Sequence, residues 1–231
     1  MKILFVFPTV AEIPNRFKPK AMKSDKLYDC GKDCQIACIG IGKRASESVK
    51  KICLRYKPDF IMLLGFGGGI DKKLLSGDMV ICSHFESDGH KIIKSDKIWL
   101  QILEKLKKID SKVFYGRCFT SEKLVKNKEL KLELLKKNIS VVDMENYWIA
   151  KSAKKLRIPF ISIRATLDNF EWELPDMSET ITCDGQILIG KTIKHIITKP
   201  IHLIDMIKIA FLRNKILSRF DNFITILLND E

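Results

Sequence analysis

Residues 60–70 of the chain read FIMLLGFGGGI, an apolar run that is followed at once by a glycine-rich segment. The run predicts a strand buried on both faces, as in sheets that helices cover from two sides. The glycines indicate that something approaches the backbone closely just beyond the strand's carboxyl end, where open α/β sheets bind ligands. Tight packing of neighbouring backbone explains these glycines about as well.

The glycine spacing argues against two common cofactor sites. Ile70 stands where the dinucleotide fingerprint requires its third glycine, and no Lys-Ser or Lys-Thr follows as a phosphate loop requires. The four histidines are isolated and carry no metal-ligand pattern. We therefore expect neither a cofactor nor a bound metal.

Short apolar runs and amphipathic stretches alternate on both sides of this segment. Predicted strands cover residues 3–7, 35–39, 60–64, 79–82, 113–119 and 160–165. Predicted helices cover residues 43–55, 95–108, 122–136 and 145–156. With 231 residues, this alternation predicts one α/β domain in which helices flank a central sheet.

The last part of the chain has a different character. Residues 1–183 form the predicted catalytic domain, and residues 184–231 form an extension of it in which apolar residues alternate with Lys and Arg. Pro200 interrupts this extension, which predicts two or three amphipathic helices. They pack on the domain, meet another subunit, or form a basic surface for a membrane or a hydrophobic substrate.

Composition bounds the partners and the location. Forty-one Lys and Arg against 28 Asp and Glu give a net charge of +13, which attracts anions. No basic motif interleaved with aromatics occurs, so a solvated surface is favoured over a nucleic-acid partner. Seven cysteines without zinc-site or disulfide-framework spacing predict reduced, mostly buried thiols. The N-terminus lacks signal-peptide features, so we expect a cytoplasmic protein.

Three acidic residues lie where an open α/β sheet places its ligand. Glu12 comes after the first strand, Glu145 begins a helix within Val-Asp-Met-Glu at 142–145, and Asp168 follows the strand at 160–165. Each could be an ordinary surface carboxylate. In an open α/β sheet, however, the strand ends converge on the ligand, and these side chains are then expected to meet.

The order of motifs around these acids resembles that of the methylthioadenosine/S-adenosylhomocysteine nucleosidases and the wider nucleoside phosphorylase superfamily, over most of residues 1–170. The matching segments are Ala-Glu-Ile (11–13), Gly-Ile-Gly-Lys (40–43), the glycine segment (65–70) with Gly-Asp (77–78), Val-Asp-Met-Glu (142–145) and Arg-Ala-Thr-Leu-Asp (164–168). The resemblance implies a three-layer α/β fold with a central mixed, partly barrel-like sheet. It also implies a small nucleoside substrate and a homo-oligomer.

The resemblance also implies a role for each site residue. Asp168 protonates N7 of the purine, and Glu12 positions and deprotonates the attacking water. Glu145 binds the ribose hydroxyls, Met144 packs against the sugar, and Phe119 stacks on the base. The remaining residues expected at the substrate are Gly65, Phe66, Val142 and Arg164.

Several positions depart from the family pattern. Leu63 and Phe66 stand where phosphorylases carry the Arg and Ser that bind phosphate, which favours water as the nucleophile. Phosphorolysis stays open, because Arg16, Arg44 or a neighbouring subunit could supply the missing group. Leu167 stands where nucleosidases commonly have a Ser that supports the catalytic acid.

The segment after Asp168 bears on the substrate. Leu174-Pro175, Asp184-Gly185 and Lys199-Pro200, with the basic tail, resemble the hopanoid-associated branch, which releases adenine from adenosylhopane. This branch implies contact with the inner face of the membrane. The alternatives are a methylthioadenosine/S-adenosylhomocysteine nucleosidase, a phosphorylase, or, in another class, a non-catalytic basic module that binds nucleosides or membranes.

Overall fold

The computed structural model describes residues 1–19, 25–109, 112–172 and 202–229. Its strands are β1 (Ile3–Phe7), β2 (Leu27–Gly31), β3 (Cys34–Cys38), β4 (Phe60–Gly69), β5 (Met79–Glu86), β6 (Ile93–Lys94), β7 (Val113–Thr120), β8 (Ile139–Asp143) and β9 (Phe160–Asp168). Its helices are α1 (Arg44–Tyr56), α2 (Trp99–Ile109), α3 (Lys128–Lys136), α4 (Asn146–Leu156) and α5 (His202–Asn229), with 3₁₀ turns at Val10–Glu12 and Asn15–Phe17.

The strands form one mixed sheet in the order β2-β3-β1-β4-β8-β7-β5-β6, and β9 pairs with both β4 and β5. The pairings β4–β8–β7–β5–β9–β4 therefore close a five-stranded barrel, from which β1, β3 and β2 extend as an open sheet. Parallel and antiparallel pairs are both present. The prediction of an α/β fold with a mixed, partly barrel-like sheet is confirmed.

The glycine segment is part of β4 and is not a turn after it. Pairing with β9 runs from Ile61 to Gly68, and Gly68 also pairs with β8. A Cβ at Gly67 would lie 2.8 Å from the carbonyl oxygen of Val142. The glycines therefore let neighbouring strands approach closely enough to close the barrel, which a prediction from one strand alone does not detect.

Other boundaries also differ from the prediction. The helix expected over residues 122–136 begins only at Lys128, because the Asn127 side chain accepts a hydrogen bond from the backbone N–H of Glu129 at 2.6 Å and caps it. Residues 121–127 are consequently a loop. Three strands, β2, β6 and β8, were not predicted.

Helix α5 is one continuous helix over His202–Asn229 within the extension, for which the sequence predicted two or three amphipathic helices. Its apolar residues join the core cluster that includes β1 and β4; they are Ile216, Leu217, Phe220, Phe223, Ile224 and Leu227. The side chain of Arg213 donates to the carbonyl of Ala11 at 2.8 Å. No helix within the described ranges is long and apolar enough to cross a membrane. Pro200 and the Leu-Pro, Asp-Gly and Lys-Pro landmarks lie outside the described residues.

The cysteine prediction is wrong for one pair. Cys30 and Cys34 form a disulfide across the β2–β3 hairpin, with Cα atoms 5.4 Å apart, because the hairpin brings these two residues side by side. Four other described cysteines are buried thiols outside any disulfide, as predicted: Cys38, Cys53, Cys82 and Cys118. Cys183 lies outside the described residues.

Candidate active site

A cavity of about 190 Å³ opens where β1, β4, β8 and β9 end together. The loop at residues 121–127 forms another wall. The lining of the cavity is mostly apolar. The residues that form it are Pro8, Thr9, Glu12, Ile41, Phe66, Gly67, Gly68, Lys123, Leu124, Val125, Val142, Asp143, Met144, Glu145, Leu167 and Asp168. The three acids singled out in the sequence therefore lie in one cavity.

Glu12 lies in the 3₁₀ turn directly after β1 and is buried. One carboxylate oxygen accepts from the Thr9 backbone N–H at 2.7 Å and from its hydroxyl at 2.9 Å. The other accepts from the Phe66 N–H at 2.8 Å. Burial raises the pKa of Glu12, while Arg164 and these hydrogen bonds oppose the rise. The carboxyl group is thus fixed in orientation and made more basic than an exposed glutamate.

Arg164 is 0% exposed and lies beneath the cavity floor, on β9. Its Nη2 donates to Asp143 Oδ2 and, at 3.1 Å, to Glu145 Oε2, while Nη1 donates to the Phe66 carbonyl at 3.3 Å. Burial alone would lower the pKa of Arg164, but the surrounding carboxylates raise it above its ordinary value. Arg164 is therefore a permanent cation that orients the acids and is not itself exposed to a substrate.

The conformation of β4 makes room for this arginine. A Cβ at Gly65 would lie 2.3 Å from Arg164 Nη1 and 3.0 Å from Glu12 Oε1. Any larger residue would displace the guanidinium or the carboxylate. Gly65 was predicted to lie at the substrate, but it is not among the described residues that line the cavity, and its requirement here is for packing beneath the site.

Glu145 stands at the N-cap position of α4 and is buried. Its Oε1 accepts from the Gly42 N–H at 3.0 Å, so the Gly-Ile-Gly-Lys turn holds this side chain in place. Burial raises the pKa of Glu145 to about 8; Arg164 opposes the rise, and the nearby charges of Asp143 and Glu12 reinforce it. This carboxyl group can therefore carry a proton near neutral pH.

Asp168 closes the opposite wall at the end of β9. Its Oδ1 lies against Gly68, where a Cβ would be only 3.0 Å away, and its Oδ2 lies 3.8 Å from the Nζ of Lys131. The residue is 9% exposed. Asp168 is therefore a largely buried carboxyl group that still borders the cavity.

The other expected substrate residues divide into two groups. Met144, Val142 and Phe66 line the cavity. Phe119 is 7% exposed and packs in a buried cluster with Val125 and Val142. Unlike those two residues, Phe119 is not among the described residues that line the cavity. This position does not favour the predicted stacking role.

The sequence did not point to two further residues of the cavity wall. Leu124 and Val125 line the cavity from the loop, and Leu124 is 55% exposed in spite of its apolar side chain. They were missed because the helix was expected to begin at Glu122. An apolar Leu-Val pair ahead of the helix-capping Asn127 was the available signal.

The two arginines considered as phosphate-binding groups, Arg16 and Arg44, do not line this cavity. Arg16 donates to the Thr225 hydroxyl on α5 at 3.1 Å, and Arg44 borders a neighbouring cavity. Of the residues that line the site in the described ranges, Lys123 alone is cationic. No cluster of His, Cys, Asp or Glu suited to a metal is found among the residues described.

The fold and the acid-lined cavity define a protein of the nucleoside phosphorylase type. The family model described as "Phosphorylase superfamily" matches residues 26–182, and the chain belongs to this superfamily.

Solved structures show the same fold. The Campylobacter jejuni 5′-methylthioadenosine/S-adenosylhomocysteine nucleosidase is 18% identical, with a TM-score of 0.66, over 78% of this chain and 91% of its own. A Helicobacter pylori enzyme of the same name is 13% identical, with a TM-score of 0.69, over 97% and 98%. The futalosine hydrolase of H. pylori is 17% identical, with a TM-score of 0.64, over 73% and 88%.

Proposed function

We propose that the chain is an N-glycosidase that releases adenine from a 5′-modified adenosine by acid-assisted hydrolysis. The observation that carries this proposal is the convergence of Glu12, Glu145 and Asp168, from three distant segments, on one largely apolar cavity. Solved proteins with this fold are nucleosidases and a futalosine hydrolase by their names, which supports the same chemistry.

In the proposed reaction Asp168 donates its proton to N7 of the purine as the bond between N9 and C1′ breaks. The electron pair of that bond passes to the base, which leaves as neutral adenine. Water attacks C1′ and gives a proton to Glu12, whose pKa burial raises toward the range of an effective base. Solvent then returns a proton to Asp168 and removes one from Glu12.

Glu145 is proposed to hold the ribose hydroxyls, with Met144 against the sugar ring. The sugar gains oxocarbenium character in the transition state, and positioned carboxyl groups stabilise that charge. Arg164 fixes Glu145 and Asp143 from below, so that neither must reorganise during the reaction.

Water is the proposed nucleophile, because a phosphate dianion would find only Lys123 among the described lining residues as a cationic partner. Comparing products with and without phosphate tests this. Free ribosyl product under both conditions supports hydrolysis, while a ribose 1-phosphate that forms only with phosphate establishes the phosphorylase alternative.

A hydrophobic 5′ substituent, such as that of adenosylhopane, is the favoured substrate group. The cavity walls are apolar, and the first half of α5 exposes Ile204, Ile207 and Phe211, with 49–74% of each residue accessible. We propose that this stripe, on a protein of net charge +13, makes peripheral contact with the inner face of the membrane. We further propose that the protein is cytoplasmic and forms a homo-oligomer. Residues 1–183 form its catalytic domain, and residues 184–231 form an extension of that domain.

The deciding experiment measures adenine release by purified wild type and by Asp168→Asn, with the exposed Asp88→Asn as the matched control. Loss of a general acid is expected to slow release about 10²- to 10⁴-fold, while Asp88→Asn keeps the wild-type rate. Equal rates for wild type and Asp168→Asn would refute the acid assignment.

The substrates are methylthioadenosine, S-adenosylhomocysteine and a 5′-lipidated adenosine. Preference for the lipidated compound supports the hydrophobic branch, and preference for either of the others favours the ordinary nucleosidase. Tight nucleoside binding by calorimetry, with no base released from any of them, would identify the non-catalytic binding module instead.

A further inference from the structure

A buried lysine stands behind the proposed catalytic acid. Lys131 lies on α3, and only 1% of the residue is exposed. Its Nζ is 3.8 Å from Asp168 Oδ2 and 3.5 Å from the backbone carbonyl of Asn169. Lysine is rarely buried to this extent without a partner of opposite charge, because removing an ammonium group from water is costly.

Helix α3 holds the backbone of Lys131 in place. Asn127 caps α3 and its carbonyl accepts from the Lys131 N–H at 3.0 Å. One turn further on, Leu134 packs in the buried cluster beside the site. A short, capped and anchored helix therefore fixes the backbone of Lys131 relative to β9.

Asp168 is held between two surfaces. Oδ1 lies against Gly68 of β4, and Oδ2 faces Lys131. The preceding residue is Leu167, which offers no hydroxyl to support the carboxyl group. Lys131 is not among the described residues that line the cavity, so it acts on a substrate only through Asp168.

We propose that Lys131 is a positioning residue that sets the ionisation of Asp168 and stabilises its carboxylate once the proton has left. This inference rests on the proposed function for its catalytic consequence, but the ionisation of Asp168 is measurable without any turnover. An ammonium group near a carboxyl group favours the charged carboxylate and so lowers its pKa.

Other charges also act on Asp168. The acids of the same cavity oppose Lys131, whereas further lysines near the site reinforce it. These groups are Glu12 after β1, Asp143 on β8, Glu145 before α4, Lys123 in the 121–127 loop, and Lys72, which lies over the Phe170 ring beyond β9. They are unchanged in the variants below, so the variants isolate the effect of Lys131.

Two effects on catalysis follow. Without Lys131, Asp168 keeps its proton to higher pH, so the basic limb of the pH–rate profile moves upward. The carboxylate that forms in the transition state also loses its adjacent cation, so the plateau value of kcat falls while KM changes little. A purely structural role for Lys131 would not produce this combination.

The test uses the full chain labelled with ¹³C at the aspartate carboxyl groups, with the Asp168 signal identified by its loss in Asp168→Asn. In Lys131→Met we expect the Asp168 pKa to rise by on the order of one pH unit or more. Lys131→Arg keeps a cation and should retain the wild-type titration. Lys136→Met removes an exposed charge from the same helix and is the matched control.

An unchanged Asp168 titration in Lys131→Met overturns the inference, whether or not the protein is active. A raised pKa with the basic limb of kcat unmoved overturns its catalytic part. If wild type releases no base from any nucleoside, the proposed function fails, and the titration still decides whether Lys131 controls Asp168.

Discussion

Replacing Arg164 by methionine removes a positive charge that Asp143 and Glu145 share beneath the site. Arg164 donates hydrogen bonds to both carboxylates and to the carbonyl of Phe66. All three charged side chains are buried. Methionine fills most of the volume, so the change isolates the charge and its hydrogen bonds from the packing.

Breaking a buried ion pair by removing one partner costs about 3–5 kcal/mol, because the remaining charge is left without compensation. At about 2–4 °C of melting temperature per kcal/mol for a domain of this size, Arg164→Met should melt about 6–20 °C below wild type. This loss of stability in Arg164→Met should depend on pH. Burial raises the pKa of Glu145 above its unfolded value, so this carboxyl group is protonated at low pH, and the cost of removing Arg164 grows as pH rises through that pKa.

Thermal unfolding of wild type and Arg164→Met at pH 5 and pH 8 measures this. Arg117→Met is the matched control, because Arg117 pairs with Glu86 at 2.6 Å near the surface, with about a third of its side chain exposed. Its loss should cost no more than about 1 kcal/mol. The reasoning is refuted if Arg164→Met loses the same stability at both pH values, or no more than Arg117→Met.

Three further predictions concern the same cavity. Gly65→Ala places a methyl group 2.3 Å from Arg164 Nη1, so calorimetry should show a loss of about 1–3 kcal/mol in stability, and an unchanged melting temperature would contradict the packing argument. Because burial raises the folded-state pKa of Glu145 from 4.5 to about 8, its protonation stabilises the fold below pH 4.5, and this contribution is lost as pH rises to 8. Denaturant titrations should therefore show a flatter pH dependence for Glu145→Gln, and identical slopes would exclude the shift. Leu124→Ala should raise KM with little change in the free energy of unfolding, because Leu124 lines the cavity. Phe119→Ala should mainly lower the free energy of unfolding, by about 3–5 kcal/mol, because Phe119 packs in a buried cluster. The reverse pattern would support the stacking role of Phe119.

Local pattern was sufficient for much of this protein. β1 is apolar throughout, and β4 and β9 begin with mostly apolar residues, so these three strands could be found from their hydrophobic runs. Acids placed directly after such strands indicated a common edge, and Glu12 and Asp168 do border one cavity. These features depend on neighbours within a few residues along the chain.

Tertiary structure decided what depends on contacts between distant segments. The glycine segment belongs to strand β4 because the barrel closes around it. At these positions β8 and β9 lie too close to β4 to leave room for a side chain. The pairing of Lys131 with Asp168 joins residues 37 positions apart, and no periodicity in either segment indicates it. A sequence shows which side chains are available, but electrostatic and packing energies depend on separations of a few ångströms, which only the folded chain determines.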